Sequence, residues 1–315
     1  MRFEKTLSID VAESKLDAEF WERIDAVTAE RVSLPKDSAD LANEIKEVDC
    51  LLVNFGVNVD SKLIGSAPAL KYVGILATAY GKVDIEYCVK KGIVVSNVPG
   101  YSTEGVSEFV FGAILEKGRE LSRAKKQASE GNYSEEGFLG TEIKGKIFGV
   151  LGLGRIGSRV AEIASSFGAS VIYHSRERKP ALEAKGIRFA ELNELFSTSD
   201  FLSIHLAQNK ETEGFIDGNR LELLKQGAVV INTAPMELFD VNALENRLKK
   251  GDIYFILDHS DEMDQADLQR LGKLANCVIY PPIALATFEA RAAKQEIFVK
   301  NIENFIEGKP SNTVA

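Results

Sequence analysis

The chain has 315 residues, enough for two domains of ordinary size, and its 45% hydrophobic and 27% charged content is that of a soluble globular protein. A net charge of −9, with no sustained run of Lys or Arg, argues against a nucleic-acid surface. No apolar stretch reaches membrane-spanning length, and the opening Met1-Arg2-Phe3-Glu4-Lys5 carries no signal-peptide core, so a reducing cytoplasm is the default compartment.

Cys50, Cys88 and Cys277 are scattered without metal-ligand spacing, so neither a disulfide framework nor a metal site is expected. In chain order, Val48 to Asn54, Tyr72 to Leu76 and Ile93 to Ser96 read as buried strands of a parallel sheet. From Thr103 to about Gln127 the periodicity predicts one helix, with Val106, Phe109, Val110, Ala113 and Ile114 on one face. A polar loop, 129–141, leads to a strand at Ile147 to Leu151, three spaced glycines, and a helical pattern from Ser158. Strands are predicted at Ser170–Tyr173, Phe201–His205, Ala228–Asn232, Ile253–Leu257 and Cys277–Tyr280, with helical segments between them. A final helix from Ala286 to about Glu307 is long enough to return to the first domain. This succession is that of doubly wound α/β sheets.

The glycines stand as Gly152-Leu153-Gly154-Arg155-Ile156-Gly157. In such a motif the first glycine permits a tight turn and the second lets a pyrophosphate approach the backbone. The third lets the helix pack on the strand, so that its N-terminal amides hold the phosphates. A plain strand-to-helix turn can share the spacing, but the flanking strand, helix and second strand are those a dinucleotide site requires.

Several further segments carry a resemblance. They are 67–74 (APALKYVG), 77–84 (ATAYGKVD) and 92–103 (GIVVSNVPGYST), then Gly145-Lys146, Asn232-Thr233-Ala234, Leu257-Asp258 and Ile283-Ala284-Leu285-Ala286-Thr287. Together with the glycine motif they make the chain similar, along nearly its whole length, to the D-isomer-specific 2-hydroxyacid dehydrogenases. The resemblance implies a flavodoxin-like substrate domain (1–100 plus 285–315), a Rossmann cofactor domain (101–284) and a cleft between them. It also implies a homodimer formed through the cofactor domain, and a small, anionic ligand. Asn54 and the loop residues Thr78, Ala79 and Tyr80 would then line the substrate pocket, and Arg155 and Ile156 would join the three glycines around the cofactor phosphates.

The second strand of the cofactor domain ends Tyr173-His174-Ser175-Arg176-Glu177-Arg178-Lys179. Ser175 stands where the family usually has an aspartate for the ribose hydroxyls. Without that acid, Arg176, Arg178 and Lys179 would welcome a 2′-phosphate, which predicts NADP(H) in preference to NAD(H). The same cations could instead form a solvated basic turn. His205, Thr233 and Asp258 match other cofactor-lining positions.

The resemblance also locates a catalytic set, and here the chain departs from it. Pro235 occupies the position of the family's arginine, Met263 that of its glutamate and Pro282 that of its histidine. Losing a positioned acid alone costs typically about 10²–10⁴ in rate, and losing the carbonyl electrophile adds to that. Tyr280, His259 and Lys82 are the available substitutes. Each also has a plainer reading: Tyr280 as a packed aromatic, the loop around His259 with Asp261, Glu262 and Asp264 as a solvated acidic turn, and Lys82 as a surface cation. Three functions remain open. One is an NADPH-dependent reductase for substrates needing little acid catalysis, such as imines. Another is an inert NADP(H)-binding protein read by a partner, and the last is a 2-oxo acid reductase with relocated acid.

Overall fold

The computed structural model describes residues 2–315 and, at Glu262, the backbone alone, so the side-chain reading of Glu262 lies outside the described residues. The chain divides into two compact units. One runs to Tyr101 and takes in Phe288–Ala315; the other is Ser102–Thr287. Among the described residues no helix is long and apolar enough to cross a membrane.

The first unit holds five parallel strands: β1 (Phe3–Ile9), β2 (Thr28–Leu34), β3 (Cys50–Val53), β4 (Tyr72–Ile75) and β5 (Val94–Ser96), ordered β2-β1-β3-β4-β5. Every residue of β3 and β4 is buried, as central strands of a parallel sheet should be. The sequence pattern did not single out β1 or β2. In β1, Lys5, Thr6 and Ser8 dilute the apolar signal, yet all three are buried. The Lys5 ammonium meets Glu44 at 2.8 Å, and the Thr6 hydroxyl pairs with that of Thr28, so their burial is compensated. The helix Phe288–Ile306 runs antiparallel to the strands. Its Gln295 accepts from Asp17 N beyond the end of β1, whereas Phe305 stacks on Phe3 near the strand starts, with ring centroids 5.6 Å apart.

The second unit holds seven parallel strands: β6 (Ile147–Leu151), β7 (Ser170–His174), β8 (Arg188–Phe189), β9 (Phe201–Ile204), β10 (Val229–Asn232), β11 (Tyr254–Leu257) and β12 (Cys277–Ile279). Their order is β12-β11-β10-β9-β6-β7-β8, so the winding reverses between β6 and β9. The single helix expected from Thr103 to Gln127 is two, Thr103–Arg119 and Leu121–Ser129. Glu120 breaks it in the left-handed region (φ 50°), and the Glu116 carboxylate accepts from Ser122 N at 2.9 Å, supplying a bond the interrupted ladder loses. The helix after the glycines starts at Arg155 rather than Ser158, which puts Gly157 inside its first turn.

That turn explains its glycines one by one. Gly152 sits at φ +92°, and a Cβ there would stand 2.6 Å from the His205 carbonyl oxygen. At Gly157 a Cβ would collide with the Gly152 carbonyl oxygen, whereas at Gly154 it would meet nothing within 4 Å. Two positions are glycine because the turn is packed shut, the third because space is left open beside it. Gly157→Ala is therefore expected to lower stability by about 1–3 kcal/mol in thermal unfolding and to weaken dinucleotide binding. An unchanged midpoint with unchanged binding would contradict this packing.

Candidate active site at the strand ends

Because all seven strands of the second unit are parallel, their carboxyl ends share one rim, where ligands of open α/β sheets bind at the reversal of strand order. The glycine turn follows β6 and His205 follows β9, which places both at that reversal. Gly154 caps the helix Arg155–Ser166 without any side-chain bond, so the first-turn amides, including those of Arg155 and Ile156, face the open space beside Gly154. A cradle closed on two sides and open on the third fits a pyrophosphate.

Beyond β7, the basic turn divides its cations between two tasks. Arg178 forks onto Glu183 (Nη2–Oε2 2.7 Å, Nε–Oε1 3.0 Å), and Tyr173 OH donates to the same carboxylate at 2.6 Å while accepting from Lys179 N at 2.7 Å. With Arg178 beside it, Glu183 is held well below the usual carboxylate range, at about 2. Arg176 is 86% exposed, with only Glu211 at 3.8 Å, and Lys179 reaches Glu177 at 3.7 Å. Ser175 Oγ is turned onto the Glu177 carbonyl. Arg176 is thus the most exposed cation of the turn, and Arg178 is engaged within it. The part played by Tyr173 and Glu183 had no local sequence signal, since they meet only when the chain doubles back over ten residues.

The ends of β9 to β12 carry His205, Pro235, Asp258 and Pro282. His205 Nε2 lies 2.7 Å from Ser203 Oγ, and Nδ1 lies 3.4 Å from Thr233 Oγ1. Desolvation pushes its pKa down to about 3, which leaves a neutral ring across the ordinary pH range. After β10, Asn232 is buried and ties the turn together: its amide nitrogen donates to Ala234 O at 2.7 Å, and its oxygen accepts from Ala234 N. Pro235 follows, half-buried, at the start of a single 3-10 turn, Met236–Leu238. Asp258, 2% exposed, ends β11 and accepts from Ile283 N (3.0 Å) and Ala284 N (3.1 Å). Burial pushes its carboxyl up against the opposing pull of these amides. Its carboxylate therefore anchors the Pro282 segment. Pro282 itself is half-buried.

The proposed substitutes are dispersed. Tyr280 packs edge-on to Phe109 with centroids 5.4 Å apart and lines a cavity of ≈ 370 Å³ with Glu116, Lys117 and Arg123 on the helix side of the sheet. Met263 is packed against the apolar cluster that includes Leu257 and Leu271. His259 is half-buried beside Asp258, and Asp261 is exposed.

In the first unit, the loops after β3 and β4 bring Asn54 and Thr78–Tyr80 to adjacent strand ends. Thr78 Oγ1 donates to Val98 O at 2.8 Å, and Thr78 O accepts from the Asn97 side chain at 2.5 Å. These bonds fix the loop, whereas the amides of Thr78, Ala79 and Tyr80 have no protein acceptor among the described residues. Three such N–H groups in one loop suit a carboxylate. Lys82 is exposed beyond them.

The rim, the glycine cradle and the parallel order define a dinucleotide-binding α/β protein. Comparison with known proteins narrows the class. Residues 111–284 match the family model of the D-isomer specific 2-hydroxyacid dehydrogenase NAD binding domain. The glyoxylate reductase of Thermococcus litoralis is 37% identical over 284 residues (87% of this chain, 86% of that protein). That of Aeropyrum pernix is 33% identical over 317 residues (98% and 92%). Among solved structures, an acyclic imino acid reductase in complex with NADPH and D-Arg superposes with a TM-score of 0.85 at 29% identity, covering 99% of this chain and 100% of that one. A D-lactate dehydrogenase from Aquifex aeolicus, complexed with NAD and lactic acid, gives 0.84 at 28% identity, with 96% of each chain covered. The chain belongs to the D-isomer-specific 2-hydroxyacid dehydrogenase family.

The low pKa of His205 gives a measurable prediction. Its unfolded value is near 6.5, so the folded protein gains this contribution fully above that pH and loses it as pH falls from about 6.5 toward 3. An NMR titration of the imidazoles, assigned with His205→Asn, should show this ring neutral down to at least about pH 5. A midpoint near 6.5 would contradict its desolvation.

Proposed function

We propose that this protein is an NADPH-dependent reductase of carbon–nitrogen double bonds, acting on small anionic imino acids rather than on free 2-oxo acids. The observation that carries the reading is the pair of prolines after β10 and β12. Pro235 and Pro282 stand at the arginine and histidine positions implied by the family, and neither has a charge or a proton to transfer. Reduction of a 2-oxo acid develops an alkoxide, which needs both. A protonated imine carries its positive charge already, and hydride addition leaves a neutral amine, so no acid is required in that step. The nicotinamide supplies the hydride when bound. The protein's part is to hold the phosphates at Gly152–Gly157, keep water from the reacting carbon with apolar groups, and bind the carboxylate at Thr78–Tyr80. The solved imino acid reductase, which binds NADPH, supports the reading. The relatives named glyoxylate reductase would favour ordinary 2-oxo acid reduction, and the prolines weigh against transferring that activity.

The second unit serves as the cofactor domain in this reading and the first as the substrate domain. Arg176 selects NADPH by meeting the 2′-phosphate. Exposed Leu121, Tyr133 and Leu139, all beyond the helix break at Glu120, support dimerisation through the cofactor domain. Free, buried Cys50, Cys88 and Cys277 suit a reducing cytoplasm.

Assayed by NADPH oxidation, the protein should turn over imines formed from 2-oxo acids and amines at least about 100-fold faster than the same 2-oxo acids alone. Equal rates would overturn the reading, and NADPH binding without any turnover would favour the inert alternative. Pro235→Arg combined with Pro282→His should raise 2-oxo acid reduction by about 10² or more. Arg176→Ala should raise KM for NADPH about tenfold or more and leave KM for NADH within about twofold.

A further inference from the structure

The loop 77–80 follows β4, and two of its open amides belong to peptide planes whose other side is tied down. A trans peptide directs its carbonyl and its N–H to opposite sides. The Ala77 carbonyl accepts from Val98 N at 2.9 Å, which turns the Thr78 N–H away from the 97–98 segment. The Thr78 carbonyl accepts from Asn97 Nδ2 at 2.5 Å, which turns the Ala79 N–H away from it in the same manner. Thr78 Oγ1 closes the zipper by donating to Val98 O at 2.8 Å. The Asn97 side chain therefore aims an amide that it does not touch.

Asn97 is buried and is itself held from behind. Its N–H donates to Asn312 O at 3.1 Å, and its carbonyl accepts from Asn301 Nδ2 at 2.8 Å. Asn301 lies on the helix Phe288–Ile306 and is 2% exposed. Only its amide nitrogen can face the Asn97 carbonyl, so Oδ1 is left to accept from Ser311 Oγ (2.9 Å) and Asn312 Nδ2 (2.8 Å). Asn304, one turn further on, donates to Ser311 Oγ at 2.9 Å. The segment beyond the helix pairs antiparallel with β5, through a bridge of Thr313 to Ser96 and the bond of Val314 N to Val95 O at 2.8 Å. A relay of side-chain amides thus runs from Asn312 through Asn301 and Asn97 to Thr78, all within the first unit.

We propose that Asn97 is a positioning residue for anion binding, aiming the Ala79 N–H at a carboxylate, and that Asn301 and the segment 311–312 hold Asn97 in place. Two adjacent N–H groups make a carboxylate site only while their peptide planes are fixed together. Released from Asn97, the Thr78–Ala79 plane can turn, and binding must then supply the ordering that the relay supplies beforehand. Coupling between two places is reciprocal, so an anion on the loop must also steady the segment 311–315 on β5. The ligand's identity as a carboxylate rests on the proposed function; the aim of the loop does not.

Amide exchange followed by NMR reads that aim without a ligand. In Asn97→Ala the Val98 N–H should exchange at least about tenfold faster, while the Leu76 N–H, bonded to Val53 O on the same rim, stays within about twofold. Oxalate, titrated calorimetrically in the presence of NADPH, should bind Asn97→Ala about 10- to 100-fold more weakly, with NADPH affinity within about twofold of wild type. Asn301→Asp keeps acceptors for Ser311 and Asn312 but loses the donor to Asn97, and should weaken oxalate about fivefold or more. Combined with Asn97→Ala it should weaken oxalate by no more than about a further twofold, because both act through the one bond to Thr78. Asn312→Gly preserves the left-handed backbone there (φ 49°), leaves the buried residues untouched, and should weaken oxalate about two- to fivefold. In the wild-type protein oxalate should slow exchange of the Val314 N–H at least about threefold. Unchanged Val98 exchange in Asn97→Ala, multiplying losses in the double variant, or oxalate binding without protection of Val314 would overturn the proposal. A wild type that binds no oxalate, with the Val98 difference present, would count against the carboxylate reading and leave the aiming role of Asn97 supported.

Discussion

The turn between β6 and the helix Arg155–Ser166 is packed so closely that two of its three glycines have no room for a methyl group. The carbonyl of His205 closes on Gly152, and the carbonyl of Gly152 closes on Gly157. These contacts draw together the two strands at which the sheet reverses its winding and aim a helix N-terminus into the space beside Gly154. The rest of the second unit depends on this arrangement. The row of strand ends from β6 to β12 keeps its order because the strands are parallel and mutually bonded, and the phosphate cradle is simply the end of that row.

Along the same rim, buried polar side chains fold and hold the turns. Asn232 folds the turn after β10 on itself, and Asp258 holds the Pro282 segment by two amides. The buried polar groups are thereby satisfied without a proton to spare. His205, which the sequence places among cofactor-lining positions, is desolvated and neutral. On the proposed function, a cofactor cradle beside Pro235 and Pro282 suits substrates whose own charge replaces a donated proton.

Much of this was legible in the sequence because it depends on local spacing. Strands β3 to β7 and β9 to β12 were anticipated within a few residues, since continuous apolar runs mark buried parallel strands. The glycine motif was legible because each glycine answers to a separate steric demand. What escaped was set by tertiary partners. The β1 strand was masked by Lys5, Thr6 and Ser8; Lys5 finds Glu44 and Thr6 finds Thr28, both far along the chain, and Ser8 Oγ is buried without a partner among the described residues. The helix break falls at Glu120, two residues after Gly118, and a glutamate gives no sign of its own that it will take the left-handed region. The fork of Arg178 with Glu183 had no sequence signature, because the pair meets only when the turn closes.

The central claim is that no side chain here can donate a proton to the reacting group. A crystal structure with NADPH and oxalate bound tests it most directly, by showing what lies within hydrogen-bond reach of the atom opposite the hydride-bearing carbon. The account predicts Pro235, Pro282 and other apolar groups around that atom, with no His, Tyr, Lys or protonated carboxyl within about 3.5 Å of it. Tyr280 or His259 found at that distance would contradict it.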